Sequence, residues 1–294
     1  MSALRARVIS GTTAAAVVLA ALAADAWWAG RAAGSVVAAV VLVLVLLATD
    51  EVVAMARAKG YQPRRGVALL CGAGLAVMPL VQRHAPGSAA FGPLLWLAAA
   101  LGAALWQQAR HQRTTQAAAN VGLTLLAIVY VGGLASFLLR LRLLVDGPGG
   151  VALLLYSVFL VKINDIGAFF TGRTWGRHKL IPWLSPAKTW EGLAGGLVTT
   201  VACGLAGGWA LYAGGLSPAG SAPAGWLGLC AGFGLLMGLV SVAGDLAASL
   251  LKRDAEVKDS GTLIPGLGGV LDVLDSPLLA APLAWAFWYT VLTG

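Results

Sequence analysis

The sequence predicts an all-α, polytopic integral membrane protein with about nine transmembrane helices and a polar site on the cytoplasmic side. Hydrophobic residues make up 59% of the 294 residues and charged residues only 11%, and the mean hydropathy is +0.83. Apolar runs of about 20 residues, the length that spans a bilayer as a helix, recur along the chain. This composition excludes a soluble domain with a polar surface. The nine predicted segments are residues 10–30, 34–56, 66–82, 88–107, 119–141, 150–171, 190–213, 224–251 and 277–293.

The distribution of basic residues predicts the orientation of the chain. With the N-terminus inside, sixteen of the 20 Lys and Arg residues fall in cytoplasmic loops, whereas Arg31, Arg83, Arg140 and Arg142 fall outside. This bias follows the positive-inside rule. We therefore expect a protein of the cell (inner) membrane whose N-terminus and polar loops face the cytoplasm. The net charge of +8 is explained by these loops and the anionic membrane surface, and nothing indicates nucleic acid binding.

The two halves of the chain differ in polar content. Residues 1–145 are interpreted as a scaffold of N-terminal transmembrane helices, and residues 146–294 as a C-terminal catalytic region. The beginning of the chain also fits a signal peptide, but a second span follows directly, so we expect a retained helix. In the second segment, Asp50 and Glu51 are interpreted as the interfacial end of a helix, and a functional role for Glu51 stays open.

The most polar stretch, residues 245–276, holds six of the 12 acidic residues. Asp272 and Asp275 precede Ser276-Pro277, a pair typical of an N-cap followed by the first helical position. This pattern predicts that both carboxylates lie at the positive end of the last helix. The glycine-rich residues 265–269 are expected to form a flexible turn whose backbone amides approach a phosphate.

Asp245 follows a long uncharged run and is therefore predicted to be a carboxylate carried by a membrane helix. Such carboxylates normally face a polar cavity or a partner. Hard oxygen ligands without a convergent set of His and Cys favour Mg²⁺ over zinc. Magnesium with Lys252 and Arg253 nearby favours phosphoryl or nucleotidyl transfer, which depends on charge neutralisation and positioning. The alternative is a solvated loop, which we prefer for Asp254 and Glu256.

A second informative stretch lies at the cytoplasmic end of the sixth segment. Lys162, Asn164 and Asp165 stand where apolar residues would insert at lower cost. Asn164 and Asp165 could provide a metal ligand or groups that recognise a nucleotide base. The alternative is that Lys162 and Asp165, which are three residues apart, only neutralise each other.

The basic loop that follows ends in a second Ser-Pro pair. Ser185-Pro186 predicts an N-cap and first helical position, which places Lys188 and Thr189 in the first turn of the seventh segment. Amides, a hydroxyl and an ammonium would converge there as an anion site. The alternative is that the loop only contacts anionic headgroups.

Together these motifs resemble the signature of the phosphatidate cytidylyltransferase family, also called CDP-diacylglycerol synthases. The family pattern contains S-x-x-K-R, K-D and H-G-G-x-x-D-R-x-D, with separate N-D-x-x-A-Y-F-x-G-R and S-P-x-K-T-W-E-G segments. The corresponding runs here are residues 249–253, 258–259, 267–275, 164–173 and 185–192. The chain departs from the pattern at Leu267, where the family has His, and at Val273, where it has Arg. The first half of the chain matches only in being a set of membrane helices.

The resemblance implies that CTP and phosphatidate react to give CDP-diacylglycerol and pyrophosphate, with magnesium required. It implies metal binding by three carboxylates and neutralisation of phosphates by lysine and arginine. We assign Asp245, Asp272, Asp275, Lys258 and Asp259 to the catalytic set, the first three as metal ligands, and Asn164, Asp165, Ser185, Lys188, Thr189, Lys252 and Arg253 to the substrate-binding set.

Three alternatives stay open. A CTP-dependent enzyme could act on another membrane lipid, such as a polyprenol or an ether lipid. A cation-coupled transporter would also use intramembrane carboxylates, although its site should lie near the midplane of the bilayer. Leu267 and Val273 also allow an inactive relative. The expected partners are CTP, a phosphatidate lipid and the bilayer, while a homodimer, the lipid chains and the number of metal ions are left open.

Overall fold

The computed structural model describes residues 3–27, 33–88, 91–110, 114–264, 266 and 268–293. In these residues the chain is almost entirely helical, which confirms the predicted all-α class, and one short hairpin interrupts the helices. The helices are α1 (Ala3–Trp27), α2 (Ser35–Ala58), α3 (Arg65–His84), α4 (Gly92–Arg110), α5 (Ala117–Ala127), α6 (Leu134–Arg142), α7 (Pro148–Trp175), α8 (Trp190–Ala213), α9 (Pro223–Asp254) and α10 (Val270–Thr293). Strands β1 (Lys179–Ile181) and β2 (Ser185–Thr189) pair antiparallel between α7 and α8.

Among the described residues, seven helical stretches are long and apolar enough to cross a membrane. They are α2, α3, the continuous stretch Ala117–Arg142, α7, α8, α9 and α10. A π-helical segment, Ile128–Gly133, joins α5 and α6 into that single stretch. The predicted number of nine spans is therefore not confirmed. The other two predicted segments correspond to α1, whose apolar part Ala16–Trp27 is short, and to α4, which becomes polar at residues 107–110.

The chain divides into two compact units. The first comprises residues 1–147 and 252–274, and the second comprises residues 148–251 and 275–294. Both unit boundaries in the C-terminal part fall inside helices, one near the end of α9 and one near the start of α10. The predicted division at residue 145 into a scaffold and a catalytic region concerns function and stays a prediction.

A fully buried ion pair joins α1, α2 and α6 in the first unit. Arg142 Nε donates to Asp25 Oδ2 at 2.5 Å, and both side chains are 0% exposed. Asp25 also accepts hydrogen bonds from the backbone amides of Val36 and Val37 at 3.0 and 3.3 Å. These amides begin α2, whose N-cap Gly34 has no side chain to accept from them. Asp25 thus caps α2 from a distance and accounts for the burial of Arg142.

Two more of the predicted outside cations have polar partners in the first unit. Arg83 Nη2 lies 2.8 Å from Asp146 Oδ1, and Arg140 Nη2 donates to Gln82 Oε1 at 2.7 Å. Arg31 lies outside the described residues. Each of the predicted outside arginines that the structure describes therefore has a polar side chain as its partner.

Small residues let α7 and α8 approach closely in the second unit. A Cβ at Gly196 would meet the backbone oxygen of Asn164 at 3.0 Å, and one at Gly195 would clash with Thr171. Close helix contacts of this kind are common between membrane helices. They fix Asn164 and its neighbours on α7 against the beginning of α8.

The predicted helix start at Ser185-Pro186 is wrong. These residues belong to β2, and α8 begins only at Trp190. Thr189 is the N-cap, because its Oγ1 accepts a hydrogen bond from Gly192 N at 3.0 Å. The strand keeps its extended backbone because it pairs with β1, which a local Ser-Pro pattern does not reveal.

The predicted helix start at Ser276-Pro277 is also wrong. α10 begins at Val270, so the Ser-Pro pair lies well inside the helix. Pro277 has no N–H and leaves the carbonyl of Val273 without its usual intrahelical donor. Of the two carboxylates predicted at the positive end of this helix, Asp272 is in the first turn and Asp275 is one turn further on.

Candidate active site

The predicted site residues are divided between the two units. Asn164, Asp165, Ser185, Lys188, Thr189, Asp245 and Asp275 belong to the second unit, and Lys252, Arg253, Lys258, Asp259 and Asp272 belong to the first. Six of those in the second unit line one cavity of that unit.

This cavity has a volume of about 400 Å³ and is lined by residues of α7, the hairpin, α8 and α9. The predicted residues in its lining are Asn164 and Asp165 from α7, Ser185, Lys188 and Thr189 from β2, and Asp245 from α9. The rest of the lining is formed by Ala168, Phe169, Gly172, Arg173, Leu180, Ala187, Gly192, Leu193 and Val242. The fold thus brings together predicted residues from three elements that are distant in the sequence.

Lys188 and Asp245 form an ion pair in the wall of the cavity. Lys188 Nζ lies 2.6 Å from Asp245 Oδ2, and the two side chains are 22% and 31% exposed. One turn further along α9, Ser249 Oγ donates to the other carboxylate oxygen at 3.4 Å. Because water screens a partly exposed pair, the ammonium can exchange its carboxylate partner for an anionic ligand at modest cost.

Asp165 is the second carboxylate of the cavity. Its Oδ1 accepts a hydrogen bond from Ser241 Oγ at 3.2 Å, and Lys162 Nζ lies 3.9 Å from its Oδ2. The pairing of Lys162 with Asp165, which the sequence offered as an alternative, is therefore present but long. A carboxylate oxygen can accept more than one hydrogen bond, so the oxygens of Asp165 can still accept hydrogen bonds from a ligand.

Asn164 is almost completely buried, with 1% of its surface exposed. Its Oδ1 lies 3.3 Å from Thr200 Oγ1, which is closer to Gly196 O at 2.6 Å, and its Nδ2 has no partner in the described part of the chain. A buried donor without a partner costs about 1–3 kcal/mol. Since Asn164 lines the cavity, an acceptor atom of a ligand could satisfy this donor.

Asp275 is buried in α10 and is absent from the described lining of this cavity. Its Oδ1 accepts a hydrogen bond from Ser276 N at 2.6 Å. The backbone of Gly244 on α9 packs directly against Asp275 and Ser276. Its predicted role as a metal ligand stays a prediction.

Lys252 and Asp272 form the second charged pair, in the first unit. Lys252 Nζ lies 2.9 Å from Asp272 Oδ1, and the side chains are only 12% and 10% exposed. Asp272 Oδ2 accepts hydrogen bonds from Ser260 N and Gly269 N, both at 2.8 Å, and lies 3.0 Å from Ser260 Oγ. The carboxylate of Asp272 is therefore held in one orientation by the segment that precedes α10.

Glu51, which the sequence left open, takes part in the same cluster. Its Oε1 accepts from Val270 N at 2.7 Å, and its Oε2 accepts from Leu271 N at 2.8 Å and from Ser260 Oγ at 2.7 Å. Glu51 thus caps α10 from α2, and a carboxylate is favourable at this positive helix end. The available signal was an acidic residue at the end of an apolar helix, which alone does not identify a partner.

The remaining predicted residues of the first unit lie on the surface. Arg253, Lys258 and Asp259 are exposed. Val273, the departure from the family's Arg, lies half-buried in the first turn of α10. Leu267, the departure from the family's His, lies outside the described residues.

The donor atoms of the cavity fit magnesium. In the described residues, neither unit has a group of three or more His, Cys, Asp or Glu side chains that could hold a metal. Magnesium bound with a nucleotide needs only one or two protein carboxylates, because phosphates and waters supply the other ligands. Asp165 and Asp245, with no His or Cys beside them in the lining, satisfy this requirement.

Comparisons with known proteins show which family this chain is similar to. A sequence profile of the cytidylyltransferase family matches residues 5–291. This chain is 33% identical to a phosphatidate cytidylyltransferase of Synechocystis sp. over 269 residues, which is 82% of this chain and 84% of that protein. It is 41% identical over 157 residues to the enzyme of that name from Haemophilus influenzae, which is 52% of each chain. It is 42% identical over 142 residues to the one from Brucella suis, which is 48% of each chain.

Proposed function

Because the chain belongs to the cytidylyltransferase family, we propose that it is a phosphatidate cytidylyltransferase. It would transfer CMP from CTP to phosphatidate and release pyrophosphate, and the product, CDP-diacylglycerol, would serve phospholipid biosynthesis. The observation that carries this proposal is the family match over residues 5–291, together with similarity to the Synechocystis enzyme over most of both chains.

The proposed reaction is a single displacement at phosphorus. An oxygen of the lipid phosphate forms a bond to the α-phosphorus of CTP, and the bond from that phosphorus to the oxygen bridging to the β-phosphate breaks. The electron pair of the broken bond leaves with pyrophosphate, so no covalent enzyme intermediate is needed. Such a transition state is stabilised mainly by positioning and by neutralisation of charge.

The cavity residues support these two tasks. Lys188 and Arg173 provide positive charge for phosphate oxygens, and the unpaired Nδ2 of Asn164 provides a donor for a ligand acceptor. The volume of about 400 Å³ is within the range of small-molecule sites. The cavity lies among membrane-crossing helices, which suits a reaction with one soluble substrate and one that stays in the bilayer.

Magnesium, when bound, would neutralise charge on the triphosphate and orient its oxygens for in-line attack. Asp165 and Asp245 are the cavity residues that would hold it, and Asp272 and Asp275 remain proposed ligands from the sequence. The four charged side chains in the lining sum to no net charge, so they alone cannot neutralise a triphosphate. This balance supports the proposed need for a divalent cation.

We also propose that the N-terminus and the loops carrying the site face the cytoplasm. If all nine predicted segments cross the membrane, sixteen of the 20 basic residues fall on that side. The cytoplasm is also where CTP is available to an enzyme of the inner membrane.

Pyrophosphate release by the purified, detergent-solubilised protein tests the proposal. The reaction contains CTP, magnesium and phosphatidate, and a control omits the lipid. We expect lipid-dependent release, lost by about 100-fold or more in Asp245→Asn because a cavity carboxylate is neutralised. Asp254→Asn is the matched control, since Asp254 ends the same helix and its side chain is 67% exposed. That variant should keep the wild-type rate.

The lipid can be varied to separate the alternatives. Release with a polyprenyl phosphate or an ether lipid, but not with phosphatidate, would reassign the substrate within the same chemistry. A folded protein that releases no pyrophosphate with any lipid phosphate or alcohol would contradict the proposal. That result would favour an inactive relative or a cation-coupled transporter.

A further inference from the structure

Glu51 replaces the side chain that the N-cap of α10 lacks. The residue before α10 is Gly269, so the amides of Val270 and Leu271 have no local side-chain acceptor. The two carboxylate oxygens of Glu51 accept from these amides at 2.7 and 2.8 Å. A Cβ at Gly269 would clash with Glu51 and with Ser260 Oγ. The glycine is therefore what allows a carboxylate from α2 to reach the helix end.

Ser260 connects this cap to Asp272. Ser260 Oγ lies 2.7 Å from Glu51 Oε2 and 3.0 Å from Asp272 Oδ2. A hydroxyl has one proton and can donate to only one of these oxygens at a time. The backbone amide of Ser260 also donates to Asp272 Oδ2 at 2.8 Å. Glu51 therefore fixes both the residue that holds Asp272 and the first turn of the helix that carries it.

We propose that Glu51 is a positioning residue for the transfer reaction, acting through Ser260 and the first turn of α10 on the carboxylate of Asp272. The inference rests on the proposed function, in which Asp272 belongs to the catalytic set. Neutral side chains cannot replace Glu51, because three donors converge on its two oxygens. Gln has only one acceptor oxygen. Its NH2 group is a donor and would face another N–H or O–H donor, so that hydrogen bond would be lost.

A cap that only stabilises α10 would affect the folded fraction, whereas a positioning residue also affects the turnover of folded enzyme. For Glu51→Gln we expect kcat to fall about tenfold or more, as for loss of hydrogen bonds to a charged group, with KM for CTP and phosphatidate little changed. Glu51→Asp keeps the charge and should recover part of the rate. Asp50→Asn is the matched control, because Asp50 pairs with Arg65 at the surface and should leave kcat unchanged.

Ser260→Ala gives a milder test of the same connection. It removes the shared hydroxyl and leaves the helix cap of Glu51 and the backbone amide of Ser260 in place. We expect a smaller fall in kcat, and the double variant with Glu51→Gln should lose less than the product of the two single losses. Independent, multiplicative effects would contradict a connection through Ser260.

Amide hydrogen exchange provides a readout that does not depend on catalysis. The amides of Ser260 and Gly269 donate to Asp272 and do not contact Glu51 as donors. Their exchange should accelerate about tenfold in Glu51→Gln and not in Asp50→Asn. Unchanged exchange at these amides, or a raised KM with unchanged kcat, would overturn the inference. If the wild-type protein shows no transfer with any lipid, the proposed function fails and the exchange measurement alone decides the role of Glu51.

Discussion

Replacing Lys188 by Gln distinguishes a substrate-binding lysine from a structural ion pair. The substitution removes the charge from the ammonium that lies 2.6 Å from Asp245 Oδ2 in the wall of the cavity. It keeps a polar side chain of similar length on β2. If Lys188 binds a phosphate, the rate of transfer should fall, whereas a structural pair should mainly affect stability.

The two explanations differ strongly in magnitude. The side chains of the pair are 22% and 31% exposed, so a structural contribution to the free energy of unfolding would be about 1 kcal/mol or less. Loss of a preorganised donor to a transition-state charge lowers kcat on the order of 10²–10³-fold, about 3–4 kcal/mol. We therefore expect kcat/KM to fall about 100-fold while the unfolding temperature changes little.

The assay measures phosphatidate-dependent pyrophosphate release and thermal unfolding on the same detergent-solubilised preparations. Lys179→Gln is the matched control, because Lys179 is an exposed lysine on the partner strand β1 and does not line the cavity. It should keep the wild-type rate. A Lys188→Gln variant with a normal rate and a lower unfolding temperature would refute the assignment of Lys188 to the substrate-binding set.

Three further predictions follow from the structure. Asp25→Asn should destabilise the first unit by about 3–5 kcal/mol, because it leaves Arg142 buried without a charged partner. Adding Arg142→Met should restore part of the unfolding temperature, and equal stability of the wild type and the single variant would contradict this prediction. Gly268→Ala should slow transfer and destabilise the protein by about 1 kcal/mol or more, because Gly268 has a φ of 91° and a Cβ there would clash with Asp272. Gly102→Ala is the control and should change neither the rate nor the stability, because nothing lies near its Cβ position. Chelation of divalent cations should abolish lipid-dependent pyrophosphate release, and magnesium should restore it; restoration by zinc alone would contradict the proposed carboxylate site.

The sequence predicts the membrane helices well because spanning length and apolar composition are local properties. A charge in an apolar run is costly unless it has a partner, and Asp245, singled out on that ground, does have one in Lys188. Lys188 itself was singled out from a helix start that the structure does not have. The apolar segment 190–213 coincides with α8, but the helix starts inferred from Ser185-Pro186 and Ser276-Pro277 are wrong. At the first site the residues before the helix pair with β1 in a short hairpin, and at the second the helix start is capped by the carboxylate of Glu51, which is distant in sequence. Local capping rules contain no information about such partners.

The number of spans also depends on residues at the ends of helices. The predicted segments are counted by apolar length, whereas the last turn of α4 is polar and contains Gln107, Gln108 and Arg110. In the first unit, Arg64 donates to Gln108 Oε1 at 2.7 Å, so the polar end of α4 has a partner within the protein.

Two of the glycines before α10, Gly268 and Gly269, have a structural role that the sequence does not reveal. Their amides were expected to approach a phosphate, but Gly268 N donates to Ile264 O at 3.1 Å and Gly269 N donates to Asp272 Oδ2 at 2.8 Å. The absence of side chains instead makes room for two carboxylates, Asp272 beside Gly268 and Glu51 beside Gly269. Gly268, Gly269 and Asp272 therefore belong to one arrangement. It also includes an acidic residue from α2, Glu51. On this reasoning, the first half of the chain contributes directly to the geometry of the signature rather than serving only as a scaffold.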